Sequence, residues 1–316
     1  MKKIVLALMV VLLMGSGAGW HAQAQDGLSD EELALLDRVI EARKQFSTWT
    51  AYSEEVSGVN VSSFAMMLAE NKNSRVEMMT WSRSASVIPG ETENNVQAEV
   101  GAVYSYEETS TGKEPITTQY DISGELRLVD GVAYVQAAYQ ESTPDVPEVP
   151  DGWVTIRNDA ENDQYPSFEG FQIDDLLEKD TLDEAVENLE LLRTIASTVF
   201  LDTDTLEDGR PVDIITVQLE REGIAEFLGE DLGDNVISSA LMETGNNSAT
   251  LRFWLTADHT IYELDSVLHL EGIGLDGPTL SADLPEGVTL DITLEIGRYA
   301  IYVPQEEAGE PAVAPE

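Results

Sequence analysis

Residues 251–256 read Leu251-Arg252-Phe253-Trp254-Leu255-Thr256, and residues 262–270 read Tyr262-Glu263-Leu264-Asp265-Ser266-Val267-Leu268-His269-Leu270. In the first stretch Leu251, Phe253 and Leu255 alternate with Arg252, Trp254 and Thr256. In the second Tyr262, Leu264, Ser266, Leu268 and Leu270 alternate with Glu263, Asp265 and His269. A third stretch repeats the pattern, with Leu290, Ile292, Leu294 and Ile296 set against Asp291, Thr293 and Glu295. Side chains alternate sides along a strand, so this period of two means antiparallel strands with one covered and one wet face. Ala257 to Thr260 supplies the turn between the first two.

The same grammar extends toward the N-terminus. Val56 to Leu68, Arg75 to Val87 and Val96 to Glu107 are strand-like, parted by Asn71-Lys72-Asn73-Ser74 and Pro89-Gly90. Tyr120 to Val129 and Val132 to Tyr139 flank Asp130-Gly131, a two-residue hairpin turn. A Pro-rich acidic loop, Pro144 to Pro150, precedes a short strand at Trp153-Val154-Thr155-Ile156. Further on, the stretch from Ile195 to Leu206 and Val212 to Glu220 read as a hairpin around Glu207–Pro211.

Helices interrupt this pattern in three places. Ser29-Asp30-Glu31-Glu32 is a capping box, followed by Leu33, Leu36, Val39, Ile40 and Phe46 at helical spacing, which predicts a helix from about Asp30 to Gln45. A second helical block starts near Ile173 and contains another box, Thr181-Leu182-Asp183-Glu184, with an apolar stripe of Leu182, Ala185, Val186, Leu189 and Leu192. A third patch covers about 223–243, where internal glycines predict two short helices. About ten or eleven antiparallel strands with three helical blocks, and no βαβ rhythm, predict an α+β fold: one large curved antiparallel sheet, a half-barrel, with helices covering its concave face.

The ends read as address and tail. Lys2 and Lys3 precede an apolar run, Ile4 to Met14, too short to span a bilayer, and Ala22-Gln23-Ala24 is a cleavage signature. The expected organisation is a signal peptide at 1–24, a single domain at 25–304 and an acidic, Pro- and Ala-rich tail at 305–316. The expected product is an exported protein of the extracellular space, cell envelope or periplasm, soluble after cleavage and without a transmembrane segment.

Composition excludes several chemistries. With 60 acidic residues against 17 basic ones, the net charge is −43, so nucleic acid and anionic membrane surfaces are not expected partners. There is no cysteine, which removes disulfides, thiolate nucleophiles, Cys zinc sites and lipid attachment through Cys. His259 falls in a turn and His269 on the outward face of a strand, and neither has a partner at metal-ligand spacing. No G-x-S-x-G elbow or Walker loop occurs. Gly272-Ile273-Gly274-Leu275-Asp276-Gly277 matches G-x-G-x-x-G, but Pro278 and another strand follow, so it reads as a Gly-rich loop and not as a dinucleotide site. Asp202-Thr203-Asp204 with Glu207-Asp208-Gly209 has a faint calcium-loop composition without the order of an EF-hand. No catalytic residue, cofactor or metal is expected.

The layout resembles a known superfamily. An amphipathic helix is followed by meandering strands, the Asp130-Gly131-Val132-Ala133-Tyr134 hairpin, the Trp153-Val154-Thr155-Ile156 strand, a helical insertion, the Glu207-Asp208-Gly209-Arg210 turn, and the paired strands from Leu251 to Ile261. This order is similar to that of LolA, LolB and the LppX/LprG lipoproteins. The resemblance implies a half-barrel closed by helices around an apolar cavity, and binding of acyl chains of a lipid or of an acylated protein. LppX-type proteins carry a lipobox Cys and this chain has none, so a freely soluble carrier fits better than a tethered one.

The inward residues of the clean strands are the candidate lining: Leu126, Leu128, Phe253, Leu255, Leu264, Leu268, Leu290, Ile292 and Leu294. Met66, Met67, Met78 and Met79 suit a pliable lining but cannot all face inward. Three functions are therefore set against one another: a non-enzymatic carrier of a hydrophobic ligand, an envelope protein-interaction or sensor module on the same scaffold, and a carboxylate-based hydrolase. The third needs two carboxylates about 5–9.5 Å apart in a cleft.

Overall fold

The computed structural model describes residues 27–68, 71–88, 95–129, 132–143, 151–156, 182–206, 209–228, 245–257, 262–276, 288–305 and 314. The expected signal peptide, His259 and most of the C-terminal tail lie outside them, as does the first part of the second helical block. Three helices are described: α1 (Asp30–Ser47), α2 (Leu182–Ile195) and α3 (Arg221–Leu228). The strands are β1 (Tyr52–Leu68), β2 (Asn71–Ile88), β3 (Asn95–Ser110), β4 (Ile116–Val129), β5 (Val132–Ser142), β6 (Val154–Ile156), β7 (Thr198–Thr205), β8 (Pro211–Leu219), β9 (Asn246–Thr256), β10 (Tyr262–Asp276) and β11 (Val288–Pro304).

All eleven strands form one antiparallel sheet in the order β6-β5-β4-β3-β2-β1-β11-β10-β9-β8-β7. Two meanders, β1–β6 and β7–β11, are therefore joined where the first strand pairs with the last, from Tyr52↔Pro304 to Leu68↔Val288. The sheet is curved and unclosed, with β6 and β7 at its edges. The expected α+β half-barrel architecture is the one found.

Helix α1 begins at its capping box, with the Ser29 side chain and the Glu32 side chain exchanging hydrogen bonds with each other's backbone. It buries Leu36, Val39, Ile40, Ala42 and Phe46 on one face of the sheet, here termed the helix side. Polar ties fix its position. Arg38 pairs with Asp213 on β8, Asp37 pairs with Arg193 on α2, and Glu32 Oε1 accepts from the Val199 N–H of β7 at 3.2 Å. The main core lies between these helices and the apolar residues of the strands, including Ile215, Val217, Leu251, Phe253, Leu255 and Leu268.

Three expectations need correction. Asn71 to Ser74 does not form a turn: β2 already begins at Asn71, which pairs with Leu68 of β1. Strand β1 starts at Tyr52 rather than Val56, because Glu54, which breaks the apolar alternation, is buried and meets Arg83 on β2 at 2.7 Å. The Gly-rich stretch is not a loop: β10 continues through it to Asp276, with a bulge between Gly272 and Leu275. Gly274 takes φ 67°, and its N–H donates to Asp291 Oδ1 at 2.8 Å. A left-handed residue is what such a bulge requires, and glycine adopts it without a Cβ penalty. Asp202 and Asp204 lie exposed on the edge strand β7, where charges discourage pairing with another chain.

Candidate functional site

Every candidate lining residue falls on the helix side. Ladder partners share a face, and the rows Leu126↔Ala98, Leu128↔Val96, Leu264↔Phe253, Leu268↔Ile296, Leu290↔Met66, Ile292↔Phe64 and Leu294↔Leu270 all carry that face's apolar residues. Their surroundings divide them. Leu126, Leu128, Phe253, Leu255, Leu268 and Leu294 are buried within the main core, and Leu264 packs against it. Leu290 belongs to a second cluster with Leu275 and Val288, against which Phe64, Met66 and Ile292 pack. The methionines split as strand geometry demands: Met66 and Met79 pair into helix-side rows, while Met67 and Met78 are exposed.

The two clusters stand at opposite ends of very long strands. In β1 burial is dense near Tyr52 and fades toward Leu68, and in antiparallel β2 it fades in the opposite sequence direction. The described helices pack mainly on β7–β10. Beyond them the helix side of β1–β4 becomes aromatic and half-buried. Tyr104 and Tyr120 stack with ring centroids 4.9 Å apart, and Tyr139 meets Tyr120 edge-on at 5.7 Å. Tyr104 donates to Glu77 at 3.0 Å, Tyr106 donates to Glu108 at 2.6 Å, and Arg75 pairs with Glu77 while lying over the Tyr106 ring. The Glu108 carboxylate holds the Tyr106 hydroxyl proton and pushes its pKa up, as burial does for Tyr139.

Between core and aromatic end runs a polar belt. Glu54 and Arg83 form an ion pair that is nearly sealed, with side chains 8% and 11% exposed. One row further on, Gly58 stands between Arg298 of β11 and Trp81 of β2. A Cβ at Gly58 would lie only 2.4 Å from Trp81 Nε1, so the indole rests directly on that glycine.

The opposite face of the sheet, the open side, holds a trough of about 610 Å³. Two ladder rows line it, Asp265, Tyr299, Ser57, Ser82, Gly101 and Ser123, and Val267, Gly297, Val59, Thr80, Val103 and Asp121, together with Gly58, Trp81, Ala102, Ile122 and Arg298 of the row between them. Its floor is made of small side chains and hydroxyls. Asp265 and Asp121 sit on β10 and β4, five strand spacings or about 24 Å apart, too far for joint acid–base work. Glu263 and Asp265 are closer neighbours on β10. Asp265 is held by Arg252 at 3.0 Å, and Glu263 is hydrogen-bonded to Tyr299. Burial lifts the pKa of both Glu263 and Tyr299. His269 lies on this side too, with Nδ1 3.9 Å from Glu295 Oε2. Among the described residues no group of His, Asp and Glu is arranged to hold a metal ion.

No protein-family profile matches the chain, and no curated protein is similar to it in sequence. Among solved structures, the crystal structure of LprF from Mycobacterium bovis aligns over 92% of this chain and 98% of its own, at 11% identity and a TM-score of 0.30. That is a distant likeness, too weak to bear on function. No described helix is long and apolar enough to cross a membrane.

Sequence reasoning found the apolar side of each strand but missed Trp81, Arg298 and the tyrosine stack. One signal was available. Gly58 interrupts a strand of Val, Ser and Asn residues, and an isolated glycine in a strand marks a close approach.

Proposed function

We propose that the protein is an exported, non-enzymatic binder or carrier of a hydrophobic ligand, a lipid or the acyl chains of an acylated protein. The observation that carries this reading is the far half of the helix side. There Phe64, Met66, Tyr104, Tyr120 and Ile292, each only partly buried, join the buried Met79 in an apolar and aromatic surface beyond the described helices. Such a surface gains about 25 cal/mol for each Å² withdrawn from water, so a bound acyl chain would cover what the described helices leave open. Methionine and tyrosine adapt to chains of varied shape. Binding of this kind needs no catalytic group, cofactor or metal. The family resemblance of the sequence layout points the same way, and so does the signal sequence, which would deliver the mature chain outside the cytoplasm.

The trough on the open side favours a second reading, an envelope protein-interaction or sensor module. Native mass spectrometry of the exported chain, followed by solvent extraction, separates the two. The carrier reading expects an excess mass that extracts as lipid, or uptake of phospholipid or acyl-peptide on incubation. A clean mass that stays unchanged after both incubations overturns it and leaves the interaction module.

A further inference from the structure

The open side of the sheet is not uniformly polar. Among the large apolar and aromatic side chains that stand exposed, Met78, Val103, Val267 and Tyr299 all lie on it, in or beside the trough of about 610 Å³. Between them the floor is low. Ser57, Ser82, Gly101 and Ser123 follow one another along one ladder row, and Gly297 stands in the next. Exposed apolar patches with polar rims mark contact sites.

The rim here is acidic. Glu263, Glu55, Glu99 and Glu125 share the row along one side, and Asp265 and Asp121 mark the two ends. Arg252 ties Asp265 and Arg127 ties Glu125, which leaves Glu55, Glu99 and Asp121 without a cation among the described residues. Acidity is general in this chain, with its net charge of −43, so charge alone selects no face. What sets the trough apart is that an acidic rim and an exposed apolar floor coincide.

The occupant must bring its own backbone hydrogen bonds. From β10 to β4 every strand is paired on both sides, so the trough offers no free main-chain edge to an extended segment. A helix satisfies its backbone internally, and small floor residues let it approach closely. The dimensions fit. Five strand spacings, about 24 Å, take about 16 helical residues at about 1.5 Å each. The bounding rows, through Glu55 and through Val61 of β1, are about 20 Å apart, which admits a helix about 10 Å wide with the side chains of both rims.

We propose that the open-side trough docks a basic amphipathic helix of a partner protein. Its apolar face lies on the Ser57–Ser123 floor between Val103 and Val267, and its lysines or arginines meet Glu55, Glu99 and Asp121. The proposal rests on the interaction-module reading and supplies its partner class; the carrier surface, on the opposite face, is not involved.

Fluorescence anisotropy of the mature chain with three labelled peptides of about 16 residues, in about 0.15 M salt, tests this. The first is a Lys/Leu/Ala helix with one apolar face. The second has the same residues scrambled so that no apolar face forms, and the third has Glu in place of Lys. The first should bind at least about 10-fold more tightly than the second, and the third should not bind. Gly101→Phe puts a ring in the floor. A Cβ there meets Ile122 O at 3.6 Å and Ser82 Oγ at 3.7 Å, ordinary contact, so the fold should hold, while affinity for the first peptide falls at least about 10-fold. Asp121→Lys should weaken that peptide by about 3- to 10-fold, and Asp202→Lys, on the edge strand β7, by less than about 2-fold. Equal binding of the ordered and scrambled peptides, or equal effects of the two charge reversals, is unspecific attraction to a polyanion and overturns the site. So does a Gly101→Phe variant that melts like the native chain and keeps its affinity; if it melts lower, the two charge reversals decide. A Glu peptide that binds better than its Lys counterpart overturns the basic partner and keeps the interaction module. If none of the three binds, the docking site fails and the interaction module loses the observation that favours it, while the carrier reading is untouched.

Discussion

The helix side of the sheet holds two regions built from the same strands by opposite rules. Around Phe253, Ile215 and Leu268, near the helices, the face is apolar and sealed. At its edge stands the solvent-accessible ion pair of Asp213 and Arg38. Around Gly58, Trp81 and Arg298 the same face is polar and half-accessible, with buried donors left over. The first region is a core in the ordinary sense, where close packing and satisfied polar groups stabilise the fold. The second departs from those rules. One continuous sheet thus supports a stable end and a receptive end, and what separates them is the reach of the helices.

Substitutions should expose that contrast most sharply at aromatic positions. Phe253→Ala is expected to destabilise by about 3–5 kcal/mol in urea unfolding, since it empties a sealed core site. Phe64→Ala, at the receptive end, should cost no more than about 1.5 kcal/mol, because the site is open to water and can relax. Equal losses would erase the distinction. Glu54→Leu tests the border between the regions. It strands Arg83 in a nearly sealed position and should cost about 3 kcal/mol or more, as breaking a buried pair does. A double change that also replaces Arg83 with Leu should recover part of that loss.

Ser29→Ala removes the cap on α1 and should cost about 1 kcal/mol. Its effect depends on pH through Glu32. The Ser29 backbone and hydroxyl, followed by the Val199 N–H, hold the Glu32 carboxyl below the ordinary glutamate value. A lowered folded-state pKa means that this stabilisation is present above the ordinary value and is lost as pH falls through the folded one. The Ser29→Ala penalty should therefore shrink in acid.

Glu263, on the open side, behaves in the opposite sense. Burial raises its pKa above the ordinary 4.5, so the folded state prefers the protonated form and stability falls as pH rises past that value. Glu263→Gln should stabilise the protein at neutral pH by less than about 1 kcal/mol, with the gain vanishing below pH 4.5. A gain that persisted in acid would show that charge is not its source.

The amphipathic strands Leu251–Thr256, Tyr262–Leu270 and Leu290–Ile296 could be read directly, because each carries its burial in a local period of two. Helix α1 could be read for a related reason, since Ser29 and Glu32 are three residues apart and cap each other. The start of β1 at Tyr52 could not: Glu54 looks like a surface residue until Arg83 is brought beside it. Nor could Gly272–Asp276, where a strand continues through a glycine run by means of a bulge. The candidate lining was legible as a face and not as a site, because alternation says which way Leu126 or Phe253 points and nothing about what stands opposite.

The sequence alone determined the strands, the helix caps, their faces and the acidity, all of which arise between residues close in the chain or from composition. The pairing of β1 with β11, the division of the helix side into a sealed core and a polar belt, and the placing of Trp81 and Arg298 on either side of Gly58 were decided by tertiary structure alone. Arg298 lies 240 residues after Gly58 in the chain, and only the closing of the two meanders onto each other brings them into one row.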